Sequence, residues 1–282
     1  MDTGSEDSRP MDWMVNSRIK NLVALVVGGG SGMGEATAKT FAANGGKVAT
    51  ADLNGESAAR VAAEIVKDGG DALSVRMDVS DQAEIDAGVQ AAIGRFGRLD
   101  ILVNTAALVK PGLLEDIPID EWKRGIEVNV HGALILARTC LPHLRKSPSA
   151  AIVTVSSLAG EHGYVRGGSY GPSKAALTTL TRQMALEWAP YGVRVNTVIP
   201  GTIDTPMARA AVRLEVLQSR AAKQIPLGQL GRANEVADLI VFLASPAASH
   251  ITAQDIRCDG GLSHGMFMAP MGGVPHAPQR ST

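Results

Sequence analysis

The chain is 282 residues long, 45% hydrophobic and 20% charged, with 27 basic residues against 28 acidic ones and a net charge of −1. That length accommodates one large α/β domain or two ordinary ones, and a near-neutral balance with no basic block argues against nucleic acid or an anionic membrane as partner. Two cysteines cannot build a disulfide framework, which fits a reducing, cytoplasmic setting, and six scattered histidines show no ligand spacing, so no metal is expected. Residues 1–20 begin acidic, hold no apolar core segment and read as a tail rather than a secretory signal. From there short β-branched runs alternate with Ala-rich stretches of helical period. Strands are predicted at 22–27, 47–52, 72–78, 99–104, 150–157, 193–199 and 251–257. Helices are predicted near 32–44, 55–68, 81–96, 118–146, 169–189, 207–222 and 233–244. Several strands are almost continuously apolar, as parallel strands covered on both faces are. No apolar run approaches the ~20 residues of a membrane span. Residues 264–282 form a second tail, whose apolar start is either loose or a cover over a substrate pocket.

The segment VVGGGSGMGEATA (26–38) follows the first strand and opens the first helix. Gly28, Gly32 and Gly34 let the backbone turn tightly and approach a pyrophosphate, with Ser31 and Met33 between them, and a helix N-terminus offers free N–H groups to that anion. A tight strand–helix turn with no ligand remains the bland alternative. Asp52 ends the second strand 18 residues beyond Gly34, where a carboxylate can accept from an adenosine ribose or merely cap the next helix. Asp78 and Val79 end the third strand, beside the adenine or at a helix cap, and Asn104 and Ala106 end the fourth. In a doubly wound sheet these strand ends share one edge, where ligands bind. The fold class is therefore α/β: a single Rossmann-type doubly wound domain over 21–263, with a seven-stranded parallel sheet flanked by helices.

The fifth strand ends in TVSS (154–157), and Ser157 lies 13 residues before Tyr170 in SYGPSK (169–174). Tyr170 and Lys174 are four apart, so a helix stacks them on one face. With the glycine loop and the LVNTAA turn (102–107), these residues resemble the short-chain dehydrogenase/reductase family. Its hallmarks are a T-G-x-x-x-G-x-G loop, an N-N-A-G turn, an upstream Asn, a Ser and Y-x-x-x-K, and the likeness spans roughly residues 20–262. The resemblance implies Tyr170 as general acid/base and Lys174 as the residue that lowers the Tyr pKa and holds the nicotinamide ribose. It implies Ser157 as the group that orients the substrate oxygen, and Asn129 in EVNVHG as the holder of a water in a proton relay. PGTIDTPM (200–207) resembles the segment that contacts the nicotinamide amide, with Pro200, Gly201, Ile203 and Thr205. It implies a closed two-fold assembly, a dimer or tetramer, built on the helices near 118–146 and 169–189.

The chemistry follows on physical grounds as well. A phenol titrates near ~10, too high for proton transfer at neutral pH, and a nearby ammonium with the charge of an oxidised nicotinamide favours the phenolate. Asp52, followed by Leu53, favours the ribose hydroxyl of NAD over the phosphate of NADP. Val27 stands where the family has Thr, Thr105 where it has a second Asn, and Ala107 where it has Gly; the Val27 change removes a hydroxyl that would tie the glycine loop down. The expected function is NAD-dependent hydride transfer between a secondary alcohol, or its ketone, and the nicotinamide. The alternatives are an NADPH-dependent carbonyl reductase and a non-catalytic dinucleotide sensor. The substrate pocket is expected from Leu108, Val109, Ala159, His162, Tyr164 and residues 207–212, mostly apolar, which suggests a hydrophobic or cyclic alcohol.

Overall fold

The computed structural model describes residues 19–267. The expected tails, 1–20 and 264–282, fall almost wholly outside the described residues. Regular structure does run past 263, because Leu262–Phe267 forms a short 3₁₀ helix.

The strands are β1 Val23–Val27, β2 Lys47–Asp52, β3 Asp71–Arg76, β4 Ile101–Asn104, β5 Ala151–Val155, β6 Arg194–Pro200, β7 Ile203–Asp204, β8 Gly231–Arg232 and β9 Asp255–Cys258. The helices are α1 Gly32–Ala43, α2 Gly55–Lys67, α3 Gln82–Phe96, α4 Ile119–Ile126, α5 Gly132–Leu144, α6 Tyr170–Trp188, α7 Pro206–Ala211, α8 Leu214–Gln224 and α9 Ala233–Ala244. Seven strands make one parallel sheet in the order β3-β2-β1-β4-β5-β6-β9, and β7 pairs with β8 apart from it. This is the Rossmann-type α/β architecture.

Alternation along each strand sends side chains to both faces. Val23, Leu25 and Val27 pack with Ile85 and Val89 of α3, Leu136 of α5 and Met184 of α6. Ala24 and Val26 pack with Phe41 of α1, Val61 of α2 and Ile240 of α9 on the other face. Each large apolar side chain so buried contributes roughly 1.5–3 kcal/mol. Covering both faces explains why β1 and β5 are buried at every residue and read as unbroken apolar runs.

The strand order reverses at β1, which pairs with both β2 and β4 and sets Val27 level with Ala51 and Asn104. Ligands of open α/β sheets bind at such a reversal, beyond the carboxyl ends of the strands. The opposite edge is locked by Asp100, just before β4. Its side chain is fully buried, and it accepts from the Val23 N–H at 2.9 Å, from Arg98 Nε at 2.9 Å and from the Ser147 hydroxyl. A buried carboxylate is tolerable only when satisfied in this way.

Three elements differ from expectation. The long helix predicted near 118–146 is two helices joined by a wide π turn, Glu127–His131. The helix predicted near 207–222 breaks after α7, where Val212 is extended at φ −146° and ψ 137°. The last strand is shorter than 251–257. Ala253 is left-handed at φ 59°, and the Gln254 N–H bonds the Asn196 side chain, so regular pairing starts only at Asp255.

Candidate active site

At the carboxyl edge of β1, Gly28 adopts φ 78°, which a side chain rarely tolerates, and a Cβ on Gly34 would lie 2.1 Å from the Gly28 carbonyl oxygen. The turn into α1 therefore closes only with glycine at both positions. Ser31 is the N-cap residue of α1, but its side chain makes no capping bond, unlike Asn54 of α2 and Asp81 of α3. The first-turn N–H groups of α1 are thus left for another acceptor.

A cleft of about 360 Å³ opens in front of them. Gly28, Ser31, Gly32, Met33 and Gly34 form one wall, and Asp52, Leu53, Asp78, Val79 and Ala106 continue it across the strand ends. Asp52 accepts from the Gly30 N–H and the Asn54 N–H, both at 2.9 Å. That leaves carboxylate lone pairs free for a hydroxyl donor. Burial raises the Asp78 pKa, but hydrogen bonds from Ser80 and the Arg124 guanidinium, 3.3 Å away, outweigh it and hold the carboxyl below the usual range. Asn104 is buried and turned inward, accepting from the Ala106 N–H at 3.1 Å.

The far wall is the segment after β6. Thr205 faces Gly32, caps α7 through its hydroxyl, and lines the cleft with Pro206 and Met207. Pro200, Gly201 and Ile203 do not line it. Pro200 ends β6, a Cβ on Gly201 would meet Asp259, and the Ile203 side chain packs over Gly231. Sequence reasoning missed Arg124 in this cleft. Arg124 lies 46 residues from Asp78 in the chain, and its only local signal was a cation on an amphipathic helix.

The hydroxyl absent at Val27 is replaced from across the sheet. Thr105 Oγ1 donates to the Val27 carbonyl at 2.8 Å, so the glycine loop is tied to the end of β4 after all.

The residues expected to carry the proton transfer gather where β5 meets α6. Lys174 is buried along the sheet, and its Nζ donates to the Val155 carbonyl at 2.7 Å. Ser157 Oγ accepts from the Ala159 N–H at 3.1 Å, and its hydroxyl is near enough to the Tyr170 phenol to pull the phenol's pKa down. Ser156, its neighbour at the end of β5, points the opposite way: it donates to the Lys174 carbonyl at 3.1 Å and accepts from Thr178 at 2.8 Å. Asn129, at the centre of the π turn, holds the Leu108 N–H at 2.7 Å and the Leu108 carbonyl at 2.9 Å. Its remaining amide hydrogen goes to Ser173 Oγ at 2.9 Å. Its side chain therefore clamps the cleft wall at Leu108 to α6, with both amide hydrogens committed to protein.

One expected electrostatic effect does not appear. Burial raises the Tyr170 pKa, the hydrogen bond with Ser157 offsets part of the rise, and the neighbouring Tyr164 phenol adds to it. Lys174 Nζ lies 5.8 Å from the Tyr170 ring centroid, too distant to overcome that, and burial brings its own pKa down to about 8. Desolvation disfavours the charged form of both residues.

The expected substrate pocket is divided. Leu108 and Met207 line the cleft, whereas Ala159, His162 and Tyr164 line a separate cavity of about 470 Å³ with Gly112, Leu113 and Leu114. Val109 lines neither. The rim of this cavity is stapled by the Gly112 N–H to the Arg166 carbonyl at 2.9 Å. Among the described residues, no cluster of three or more His, Cys, Asp or Glu could hold a metal, and no helix is long and apolar enough to cross a membrane.

A cleft with an uncapped helix start and the Asp52 carboxylate on its wall fits a nicotinamide dinucleotide; Ser157, Tyr170 and Lys174 gather where β5 meets α6 and do not line it. The comparisons agree. A family model described as enoyl-(acyl carrier protein) reductase matches residues 28–263. The chain is 41% identical over 250 residues to 2,5-dichloro-2,5-cyclohexadiene-1,4-diol dehydrogenase of Sphingobium indicum, covering 89% of this chain and 99% of that protein. It is 37% identical over 257 residues to trans-4-hydroxycyclohexanecarboxylate dehydrogenase of Sinomonas cyclohexanicum, with 89% and 96% covered. The solved structure of 7α-hydroxysteroid dehydrogenase complexed with NADH and 7-oxo glycochenodeoxycholic acid superposes with a TM-score of 0.84 at 33% identity, covering 88% of this chain and 96% of that one. The chain belongs to the short-chain dehydrogenase/reductase family and is an oxidoreductase of that type.

Proposed function

We propose that the chain is an NAD-dependent dehydrogenase of a secondary alcohol carried on a carbocyclic ring, acting also on the corresponding ketone. The convergence of Ser157 and Tyr170 beside buried Lys174 carries this reading. The cyclic alcohols in the names of the relatives support the substrate class, and Asp52 at the ribose end supports NAD.

When bound, an oxidised nicotinamide would supply a hydride acceptor and a positive charge. Everything else falls to this chain. Ser157 and Tyr170 grip the substrate oxygen, and the Tyr170 phenolate takes the alcohol proton as the carbinol C–H bond breaks and its electron pair leaves with the hydride. The carbonyl forms between the same carbon and oxygen. Lys174, one of whose hydrogens is spent on Val155, keeps others for a ribose hydroxyl. Asn129 holds the Leu108 wall in register with α6.

Asp52 discriminates between the two dinucleotides by charge. A 2′-phosphate carries about −1.5 to −2, and at about 4 Å with an effective dielectric of 20 each unit of like charge costs roughly 4 kcal/mol before screening. Even a third of that is about tenfold in affinity per charge. A panel of cyclic and open-chain secondary alcohols, followed by absorbance of the reduced cofactor, tests the reading. The expected kcat/KM for NAD exceeds that for NADP by at least about a hundredfold. Equal use of NADP overturns the cofactor assignment, and a panel with no ring alcohol oxidised overturns the substrate class.

The protein is proposed to work in the cytoplasm as a homodimer or homotetramer. Leu186 on α6 is 72% exposed, and Leu134, Ile135 and Leu180 on α5 and α6 are only partly covered, which suits pairing of these helices across a two-fold axis.

A further inference from the structure

Arg60 stands eight residues beyond Asp52, and α2 folds it back onto the glycine loop. Arg60 Nη2 donates to the Gly30 carbonyl at 3.0 Å, while the Gly30 N–H donates to Asp52 at 2.9 Å. One loop residue is therefore gripped by Arg60 on its carbonyl side and by Asp52 on its amide side. Gly30 has no space for more, since a Cβ there would lie 2.8 Å from Ser57 and 2.9 Å from Asp52.

The remaining Nη hydrogens of the guanidinium are already committed. Nη1 donates to Glu35 at 3.0 Å and to Glu64 at 2.9 Å, and Nη2 donates to Glu35 at 2.7 Å. Lys39 Nζ joins the same two carboxylates, at 2.6 Å from each. Two cations and two anions make a neutral quartet along the outer seam between α1 and α2. Half-exposed ion pairs are individually weak. Here, however, four acceptor contacts converge on one guanidinium, and all four Nη hydrogens are used.

Short-range reach is not what separates Arg60 from a 2′-phosphate, because it already touches the residue that Asp52 holds. We propose that Glu35 is a specificity-determining positioning residue, which with Glu64 keeps Arg60 on the Gly30 carbonyl and so withholds it from a 2′-phosphate. This inference rests on the reading that Asp52 receives the adenosine ribose. It implies two barriers to NADP: the repulsion from Asp52, and the commitment of Arg60 to Gly30, Glu35 and Glu64. Removing the first leaves the second in place.

The test is equilibrium binding of NAD and NADP to the purified full chain by calorimetry, with no turnover needed. Asp52→Ala is expected to weaken NAD and to tighten NADP by about tenfold, the worth of one unit of relieved repulsion after screening. Adding Glu35→Gln, which keeps an acceptor but leaves the quartet one positive charge in excess, is expected to tighten NADP by a further factor of about ten, one charge-assisted hydrogen bond. Adding Arg60→Gln to that pair should abolish the second gain, and 0.5 M salt should shrink it. Glu35→Gln alone should change the dissociation constant for NAD by less than about threefold, because Asp52 still holds Gly30. The inference is overturned if Asp52→Ala/Glu35→Gln binds NADP no better than Asp52→Ala, or if the gain survives Arg60→Gln. A native chain that binds NADP as well as NAD, or an Asp52→Ala chain unchanged for NAD, overturns instead the assignment of Asp52 on which the inference rests. Thermal unfolding of each variant in the absence of cofactor separates a lost fold from a lost contact.

Discussion

Thr105 Oγ1 donates to the Val27 carbonyl at 2.8 Å, and the same oxygen lies 2.6 Å from where a Cβ on Gly28 would stand. The residue after β4 thus holds the glycine loop close against the end of β4. Thr105→Val keeps the volume and removes the bond. A typical hydrogen bond of this kind is worth about 1 kcal/mol net, so the dissociation constant for NAD should rise about fivefold with little change in kcat. Titration of the variant with NAD checks this, and unchanged affinity would show that the loop holds its shape without the tie.

Tyr170→Phe removes one oxygen and no packing volume. Because the phenol is the proton acceptor in the proposed reaction, turnover should fall by about 10²–10⁴-fold while NAD still binds. Retention of more than about a tenth of the activity would remove Tyr170 from the role of base.

The paired serines at the end of β5 should separate cleanly. Ser157→Ala takes away the hydroxyl beside the phenol and should cost about 10²-fold or more in kcat/KM with little loss of stability. Ser156→Ala strips Thr178 of one partner in a buried site and should cost about 1–3 kcal/mol in urea unfolding, with activity reduced far less. The reverse pattern would exchange their roles.

Lys174 makes the stability of the cofactor-free protein depend on pH. Burial lowers its pKa to about 8 in the folded chain from an ordinary value of 10.5. Between those values the unfolded chain binds more protons, so stability rises as pH rises, and the gain is complete only above the unfolded value. Each pKa unit is worth about 1.4 kcal/mol, so the full rise attributable to this side chain is about 3 kcal/mol. Denaturant unfolding of the native chain and Lys174→Met at pH 7.5, 9 and 10.5 checks the slope. A native slope no steeper than that of Lys174→Met would place the lysine in a more polar setting than its burial implies.

The parts of the site that were legible in the sequence are those whose partners are local. The glycines from 28 to 34 sit in one turn, Asp52 closes the next strand, and Tyr170 and Lys174 share one helical face. Strand alternation and the approach of Ser157 to Tyr170 complete that set. What the sequence hid depends on angles between distant elements. Arg60 stands eight residues beyond Asp52, with nothing local to tie it to the glycine loop, yet the packing of α1 on α2 lays it on Gly30. Val27 read as a lost hydroxyl because its replacement stands on Thr105, 78 residues away, and only the pairing of β1 with β4 brings the two together. The phenol was expected to be lowered by its lysine, but periodicity gives separation along a helix and not the burial that sets the direction of the shift. The π turn has no residue signature at all. It shows only in the way Asn129 meets Leu108 and Ser173 at once.

The buried Asp100 cluster sits at the end of the sheet opposite the reaction, joining β1, the approach to β4 and the Ser147 turn. Fold maintenance and chemistry are thereby housed in different groups of side chains, separated by the length of the strands. Random change at the loops after β4, β5 and β6 can remodel which alcohol enters without touching the charge that anchors the strand starts. Conversely, stabilising substitutions around Asp100 should carry little of the usual toll on turnover, since its partners Val23, Arg98 and Ser147 stand away from the cleft. A scaffold divided in this way is suited to laboratory diversification: libraries belong at one end, and compensating stability can be sought independently at the other.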